Sequence, residues 1–584
     1  MPPLFFTVIV HSKRLNWILI LVLFTANFAV FLPSITGGFL WDDRLLITEN
    51  PGLHDPLFLQ KFLVSPFGGH LGLDENSLRL DQMSQFYRPV TSLSYWLDYK
   101  LWGLNPAAFH LSNIFFHIIN CLILFFIFLA LDWDPYKAFM GSMLFSLFPL
   151  HFENVSWISG RTDLLSFLFA ALSVLLFIYF FKKKRPILLG LSAFFYFFSL
   201  LAKENTLFLP LIFLFIIYRR NAKIKDYIRN IFPYTVSLFL WFVMRSIALS
   251  SGFIQLSERT ISDFLSAIGF YTLKILFPFR LSLTIDSAGV FQNKYFFVFG
   301  LMLSLLFLVS LLLLLKKKIS RIKPALMFTA FFLSLFPSVL VIFSAATVSF
   351  LALRFLYLPS ALFAASAVMV VYAKIKWKYL ICTILLIGCI FYTLELYPKN
   401  KAFGRNEKEF WLGLKNRNRE NFLALFNIGI FSLPENEEQA LEIFQKILKK
   451  KNHHLYEKFR VRIYEELASY YTFYDKLEQA EYYFNRLLDS QKGQSQHFYV
   501  TYACFLAQKG KVDEGENIIR QMLNVFSENH LILLHAAKFY IILKDYEKAS
   551  ELLKKDFALF PTEEIKGLLN QIEKILKAES HQPG

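Results

Sequence analysis

Between residue 15 and about residue 396 the chain is a succession of apolar runs, each long enough to cross a bilayer as a helix. They lie near 15–33, 109–131, 137–157, 163–181, 187–202, 204–218, 231–249, 295–315, 325–344, 355–373 and 378–396, about eleven in all. In lipid every backbone N–H and C=O must be satisfied within the segment, so such runs become helices and the fold class is all-α and polytopic. Composition agrees: 55% of residues are hydrophobic and 18% charged, too apolar for a typical soluble or a disordered chain. The 69 Phe residues carry no function by themselves, since Phe replaces Leu readily on a lipid-facing helix. After the first run comes Leu32-Pro33-Ser34-Ile35-Thr36, with no small-x-small cleavage site, so this run is expected to be retained.

The formal charge of +17 raises the question of nucleic acid, and its distribution answers it. The basic clusters are His11-Ser12-Lys13-Arg14, Lys182 to Arg185, Arg219 to Arg229, Lys316 to Lys323 and Lys374 to Lys378. With the N-terminus in the cytoplasm and sides alternating, all five fall on the cytoplasmic face. This requires that Ile261 to Phe279 not cross, and it is expected to be a re-entrant or interfacial helix on the outer side. Nucleic acid is then unnecessary as a partner. Residues 34–108 become a long outer loop, and the C-terminal region lies outside too. "Outside" is the periplasm of a bacterial inner membrane, towards which the compact repeat array leans, or the lumen of a eukaryotic secretory compartment. Asn154-Val155-Ser156 fits a glycosylation sequon but falls close to the bilayer.

No GxxxxGK[ST] and no GxGxxG occurs, which disfavours nucleotide-binding enzymes. Cys121, Cys382, Cys389 and Cys504 form no CxxC pair and no disulfide framework.

Residues 1–400 thus form a membrane domain, 401–418 a linker, and 419–584 a charged helical region with an internal repeat. Small residues recur at Ala440, Ala480, Gly515 and Ala549, in steps of 40, 35 and 34. Four residues after each stand Phe444, Phe484, Ile519 and Leu553, and twelve before each stand Ile428, Ala468, Ala503 and Ala537. Phe431, Tyr471, Leu506 and Tyr540 follow three later, and Pro561 ends the last unit. The pattern resembles about four tetratricopeptide repeats with a final helix near 562–577. A solenoid of this kind offers a concave surface to an extended polypeptide. It also serves as simple packing on the membrane domain.

Chemistry-bearing residues concentrate in the outer loop. Trp41-Asp42-Asp43 places two carboxylates just beyond the first span, where their desolvation is costly. A carboxylate there is a candidate base for an attacking hydroxyl, and equally a helix cap or solvated turn. Further on, Tyr87-Arg88-Pro89-Val90 and Leu93-Ser94-Tyr95-Trp96-Leu97-Asp98-Tyr99 read as an interfacial helix. His110, Asn113 and His117 share a helix face. They suit metal ligation less well than interhelical hydrogen bonds.

Taken in order, several segments resemble the TMTC-type protein O-mannosyltransferases, GT-C-fold glycosyltransferases that end in tetratricopeptide repeats. These are Leu40-Trp41-Asp42-Asp43, Tyr87-Arg88-Pro89, Phe109-His110-Leu111-Ser112-Asn113, and Leu150-His151-Phe152-Glu153-Asn154-Val155 with Gly160-Arg161-Thr162-Asp163. They continue with Ala202-Lys203-Glu204-Asn205, Ile275-Leu276-Phe277-Pro278 through Leu281-Ser282, Arg354 to Ser360, and Arg405-Asn406 with Trp411. The chain departs from the family pattern at Phe148, where the family often has His, and at Leu353, where it has Glu.

The resemblance implies transfer of mannose from a polyprenyl-phosphate donor to Ser or Thr of exported proteins, with inversion. It assigns Asp42 as the base candidate, and Asp43 as its orienting neighbour or alternative. A free Asp is ionised at neutral pH, its pKa being near about 4. The departing lipid phosphate calls for cations, and Arg88, Arg161, Lys203 and Arg354 are the candidates. Arg161 and Arg354 are the favoured pair, because guanidinium binds phosphate bidentately. The structural alternative for each is an ion pair, such as Lys203 with Glu204 or Arg161 with Asp163. His151 and Glu153 are expected to orient substrate. One acidic pair and isolated His residues are not enough to assert a divalent metal, which stays open, and the lipid-linked sugar is the expected co-reactant. The competing readings are a non-catalytic membrane scaffold and a related transferase acting on a lipid or envelope glycan.

Overall fold

The computed structural model describes residues 3–48, 86–218, 224–249, 259–279, 287–315, 322–343, 351–374, 407–417, 421–451, 456–489, 495–525, 530–559 and 563–579, with a few shorter pieces between them. They divide into two compact units, Met1–Leu40 with Tyr87–Gly413, and Trp41–Phe86 with Leu414–Gly584. Cys382, Cys389, Ser282, Arg405, Asn406, Pro561 and most of the run 378–396 lie outside the described residues, as do parts of the basic clusters beyond Lys182 to Arg185.

The described part of the membrane unit is built of helices joined by short turns and extended links. Its main helices are Pro3–Phe31, Pro89–Trp102, Pro106–Ala130, Pro135–Ser146, Arg161–Lys183, Pro186–Ala202, Leu209–Tyr218, Ile224–Ala248, Ile261–Leu276, Lys294–Leu315, Ile322–Leu340 and Tyr357–Lys374. Among those after the first, four begin with Pro, whose fixed φ suits the first helical position and whose missing N–H costs nothing there. Asn105 and Asp134 cap two of these by accepting from Ala107 N and Lys137 N. Six described helices are long and apolar enough to cross a membrane.

The remaining expected spans are shorter helices or fall outside the described residues. The run 137–157 is not one span. Its helix stops at Ser146, and Pro149 opens a series of short turns, Pro149–His151, Phe152–Ser156 and Ile158–Gly160. The segment expected to be re-entrant is the 16-residue helix Ile261–Leu276, about 24 Å long against a hydrocarbon core of roughly 30 Å. A capping box of Thr260 and Asp263 starts it. Gly269 and Gly300 bring it against Lys294–Leu315 so closely that a Cβ on either would collide with backbone.

Polar seams tie the apolar helices together. Ser192 Oγ donates to Ser173 O at 2.7 Å and meets the Tyr234 hydroxyl at 2.6 Å. Such bonds matter in a bundle where lipid tails are as apolar as Leu and hydrophobic association supplies little.

The second unit contains four helix pairs and a final helix: Phe422–Ser432 with Glu437–Leu448, Tyr456–Phe473 with Leu477–Leu488, Gln496–Gln508 with Val512–Val525, His530–Ile542 with Tyr546–Leu559, and Glu563–Glu579. The repeat positions are its core. Ala440, Ala480, Ala549, Ala468, Ala503 and Ala537 are fully buried, as are Ile519 and Leu553. The first pair differs in register. Its close approach is at Gly429, where a Cβ would strike the Phe444 ring, and not at Ile428.

Asp475, Gly510 and Lys544 all adopt left-handed backbone, with φ of 56°, 81° and 60°. Each closes a Schellman turn: Lys476 N to Tyr471 O at 2.8 Å, Lys511 N to Leu506 O at 2.9 Å, and Asp545 N to Tyr540 O at 2.9 Å. The steps of 35 and 34 between them restate the repeat in backbone geometry.

Candidate functional site

The short turns after Pro135–Ser146 bring chemistry together because they pack on their own backbone. A Cβ at Gly160 would lie 2.5 Å from Asn154 O and 2.6 Å from Glu153 O, so no larger residue fits there without moving the segment that carries Glu153. Asn154 is buried and donates from Nδ2 to Arg354 O at 2.9 Å. The sequon is therefore taken up in the core.

Arg354 sits on the turn Leu353–Leu356, and that turn is anchored on every side. Ala352 N donates to the Tyr271 hydroxyl at 3.1 Å, and Ser338 Oγ to Phe355 O at 2.9 Å. Glu153 receives Arg354 N at 3.0 Å and Arg354 Nη1 at 2.7 Å. Just beyond, the Tyr357 hydroxyl meets His117 Nδ1 at 2.7 Å and Asn120 Nδ2 at 3.1 Å, while His151 Nε2 meets Ser360 Oγ at 2.8 Å. The guanidinium lies 5.1 Å from the Trp157 ring centre and 5.2 Å from that of Phe355. Its side chain keeps 18% of its exposure.

Two further ion pairs adjoin this turn. Lys203 Nζ reaches both Asp163 oxygens, at 2.6 and 2.7 Å, and lies 4.7 Å from the centre of the Phe355 ring. Lys203 and Arg354 thus flank one aromatic ring. Next to Lys203, Glu204 accepts Arg88 Nη2 at 2.9 Å. Burial pushes the Lys203 ammonium down to about 8; Asp163 opposes this, and the charges of Arg88 and Arg354 add to it. Burial raises the Glu153 carboxyl, and the Arg354 charge and hydrogen bonds only partly offset it.

Arg161 has a different place. It is fully buried; Nε donates to Asn113 Oδ1 at 2.7 Å, Nη2 to Phe109 O at 2.9 Å, and Nη1 pairs with Asp98 at 2.7 Å. A guanidinium so enclosed knits helices together and does not face a phosphate, which corrects its expected role. The expected pairings are corrected as well: Lys203 takes Asp163 and not Glu204, and Arg161 takes Asp98 and not Asp163. Of the His110 face, Asn113 and His117 make interhelical hydrogen bonds, as their chemistry suggested. Among the described residues no group of three His, Cys, Asp or Glu is placed to hold a metal.

The acidic pair belongs to the other unit. Asp43 is fully buried and Asp42 half-buried. Trp41, just before them, has φ of 50°, a conformation that costs a bulky residue about 1–3 kcal/mol and that clusters at functional sites. The chain reaches it through Gly37 and Leu40 of the membrane unit. A Cβ at Gly37 would lie 2.7 Å from His110 Nε2, and Leu40 O accepts the Trp157 indole N–H at 3.3 Å.

Against curated proteins, the chain matches protein O-mannosyl-transferase F38B6.6 of Caenorhabditis elegans at 32% identity over 162 residues, 27% of this chain and 22% of the relative. It matches protein O-mannosyl-transferase TMTC3 of Homo sapiens at 33% over 141 residues, 24% of this chain and 15% of the relative. TMTC2 of Mus musculus matches at 31% over 150 residues, 26% and 17%. Over about a quarter of its length the chain is similar to the TMTC-type protein O-mannosyltransferases. The matched stretch spans about a fifth or less of the length of these TMTC-type relatives. No family model matches the chain.

Sequence reasoning found the cations but not their surroundings. Asp98, Phe355, Tyr357 and Ser360 stood inside quoted segments without a role, and Trp157 stood between two of them. Trp157 directly follows the sequon and is four residues from Arg161, and only the turns after Pro149 bring it to Arg354.

Proposed function

We propose that this chain is a membrane glycosyltransferase that moves a sugar, by its relatives' names mannose, from a polyprenyl-phosphate donor to Ser or Thr hydroxyls of exported proteins. One observation carries the reading: Arg88, Lys203 and Arg354 lie close enough in the membrane unit for Lys203 to feel the charge of both arginines, and Lys203 and Arg354 flank the Phe355 ring. The donor's phosphate is then read by Arg354 and Arg88, whose guanidinium forks match its oxygens, with Lys203 as a third charge.

In the proposed reaction Asp42 accepts the proton of the acceptor hydroxyl, directly or with Asp43 holding it. The freed oxygen bonds to the sugar C1 from the face opposite the phosphate. The C1–O bond to phosphate breaks, its electron pair passes to the phosphate oxygen, and the configuration at C1 inverts. The cations stabilise the second charge that phosphate gains as it leaves. His151 holds Ser360, and Glu153 with Asn154 holds Arg354, so these residues orient the phosphate reader.

With the N-terminus cytoplasmic, the acidic pair and the repeats face the periplasm or lumen, and residues 419–584 present the acceptor polypeptide. The test is transfer by purified protein, given a panel of polyprenyl-phosphate sugars and a pool of exported-protein peptides. Sugar on Ser or Thr with wild type, reduced about 10²-fold or more by Asp42→Asn, supports the reading. Folded protein that captures peptide through its repeats yet transfers no sugar from any donor would make it a scaffold. Sugar found on lipid or glycan alone would change the acceptor.

A further inference from the structure

Arg245 lies in the last turn of the span Ile224–Ala248, and that helix packs beside Pro186–Ala202, running in the same direction. Two polar contacts set their register: the Tyr234 hydroxyl meets Ser192 Oγ at 2.6 Å, and Ser237 Oγ donates to Ala193 O at 3.1 Å. Arg245 stands eight residues past Ser237, and Leu201 eight past Ala193, about 12 Å along each axis. Arg245 is therefore level with the end of Pro186–Ala202, where Lys203 and Glu204 follow.

Its face is fixed too. Trp241, Arg245 and Ala248 are four and three residues apart, so they share one side of the helix. Trp241 and Ala248 are buried in the same apolar cluster as Leu201 and Tyr87, the neighbour of Arg88. The Arg245 guanidinium lies 5.7 Å from the Trp241 ring centre. Glu204, which accepts Arg88, feels the charges of both Arg88 and Arg245. The opposite side of the helix, with Phe239, Val243 and Ile247, is exposed and apolar, as a lipid-facing side must be. We propose that Arg245 is a fourth donor-binding residue, reading the phosphate of a polyprenyl phosphate together with Arg88. A phosphate held there sits at the edge of the bilayer, where a polyprenyl tail adds burial in lipid that free phosphate lacks. This role rests on the proposed transfer reading.

The test uses the full chain in nanodiscs of zwitterionic phospholipid, with radiolabelled polyprenyl phosphate as the binding probe. Arg245→Gln is expected to weaken its binding about tenfold and to raise donor KM alike, with kcat within about twofold. Arg245→Lys, which keeps the charge and loses the fork, is expected to recover part of the binding. Inorganic phosphate is expected to compete only at far higher concentration than unlabelled polyprenyl phosphate. Arg245→Gln also takes one of two cations from Glu204, so the pair is compared without that carboxylate. Arg245→Gln with Glu204→Gln is expected to bind the probe more weakly than Glu204→Gln alone.

Equal binding by those last two variants, both folded, means that Arg245 only balances Glu204 and overturns the role. Wild-type binding by Arg245→Gln overturns it as well, as does inorganic phosphate competing at equal concentration. Each of these results leaves the transfer reading standing if sugar is transferred and Asp42→Asn is inactive. Weakened binding by Arg245→Gln, with no sugar transferred by wild type from any donor, overturns the transfer reading and leaves Arg245 as a reader of lipid phosphate.

Discussion

Arg161 and Arg354 carry the same charge at two ends of one short stretch of structure, and their removal is expected to fail in different ways. Arg161→Met leaves Asp98 buried without its cation, a loss of roughly 3–5 kcal/mol that lowers yield and melting temperature before any activity is measured. Arg354→Met also strips Glu153, whose side chain is fully buried, of its cation, so it too is expected to lower the melting temperature; Arg354→Met together with Glu153→Gln is expected to stay folded in detergent while donor KM rises at least tenfold. Size-exclusion profiles and transfer kinetics on Arg161→Met and this double variant separate the two. Lys203 adds a pH signature. Its ammonium is held down to about 8, so it is charged below that pH and neutral above it. The donor KM is therefore expected to rise as pH passes 8, and Lys203→Arg is expected to abolish that rise. These charges were legible in the sequence as rare cations bordering apolar runs. Their partners were not, because sequence offers only neighbours: Asp98 lies 63 residues from Arg161, and Asp163 lies 40 from Lys203.

Helices were the easiest elements to read, since a run of spanning length has few alternatives to a helix. What misled was continuity. Residues 137–157 are apolar without interruption apart from a few polar side chains, yet Pro149 cannot donate to the preceding turn, and the helix stops at Ser146. The break creates the turns that carry His151, Glu153 and Trp157. In the repeats, small residues were visible at the right spacing in three pairs. The first pair hid its own because Gly429 is offset by one residue. The three Schellman turns were not visible, since only Gly510 among Asp475, Gly510 and Lys544 looks like a left-handed residue. Lys544→Gly relieves a side chain in that conformation and is expected to stabilise the last pair by about 1 kcal/mol. A thermal shift of the full-length protein checks it, with Gly510→Ala expected to move the other way.

At the scale of the molecule, the repeat unit is expected to lose stability in acid. His497 and His535 are buried in the repeats, and burial holds His497 down to about 3 and His535 well below its ordinary value. The unfolded chain binds these protons below about 6.5 and the folded chain does not, so their contribution to stability is complete above 6.5 and is lost as pH falls beneath it. At pH 5.5 the deficit is up to about 3 kcal/mol for the pair. Calorimetry on the full chain is expected to show the repeat transition several degrees lower at pH 5.5 than at 7.5, and His497→Phe with His535→Phe is expected to flatten that dependence.

The three cations also have a property as a set. Each already grips a carboxylate: Arg88 grips Glu204, Lys203 grips Asp163, and Arg354 grips Glu153. Under the proposed reaction, any phosphate that settles there competes with carboxylates that are part of the same chain, whose effective concentration is on the order of millimolar or more and never falls. The spent lipid phosphate is therefore evicted from within, and the grip on the donor is weaker than three cations alone would give. Trading a tethered rival for an uncharged amide, as in Glu204→Gln, is expected to lower donor KM and slow the release of product, turning a faster binder into a slower enzyme.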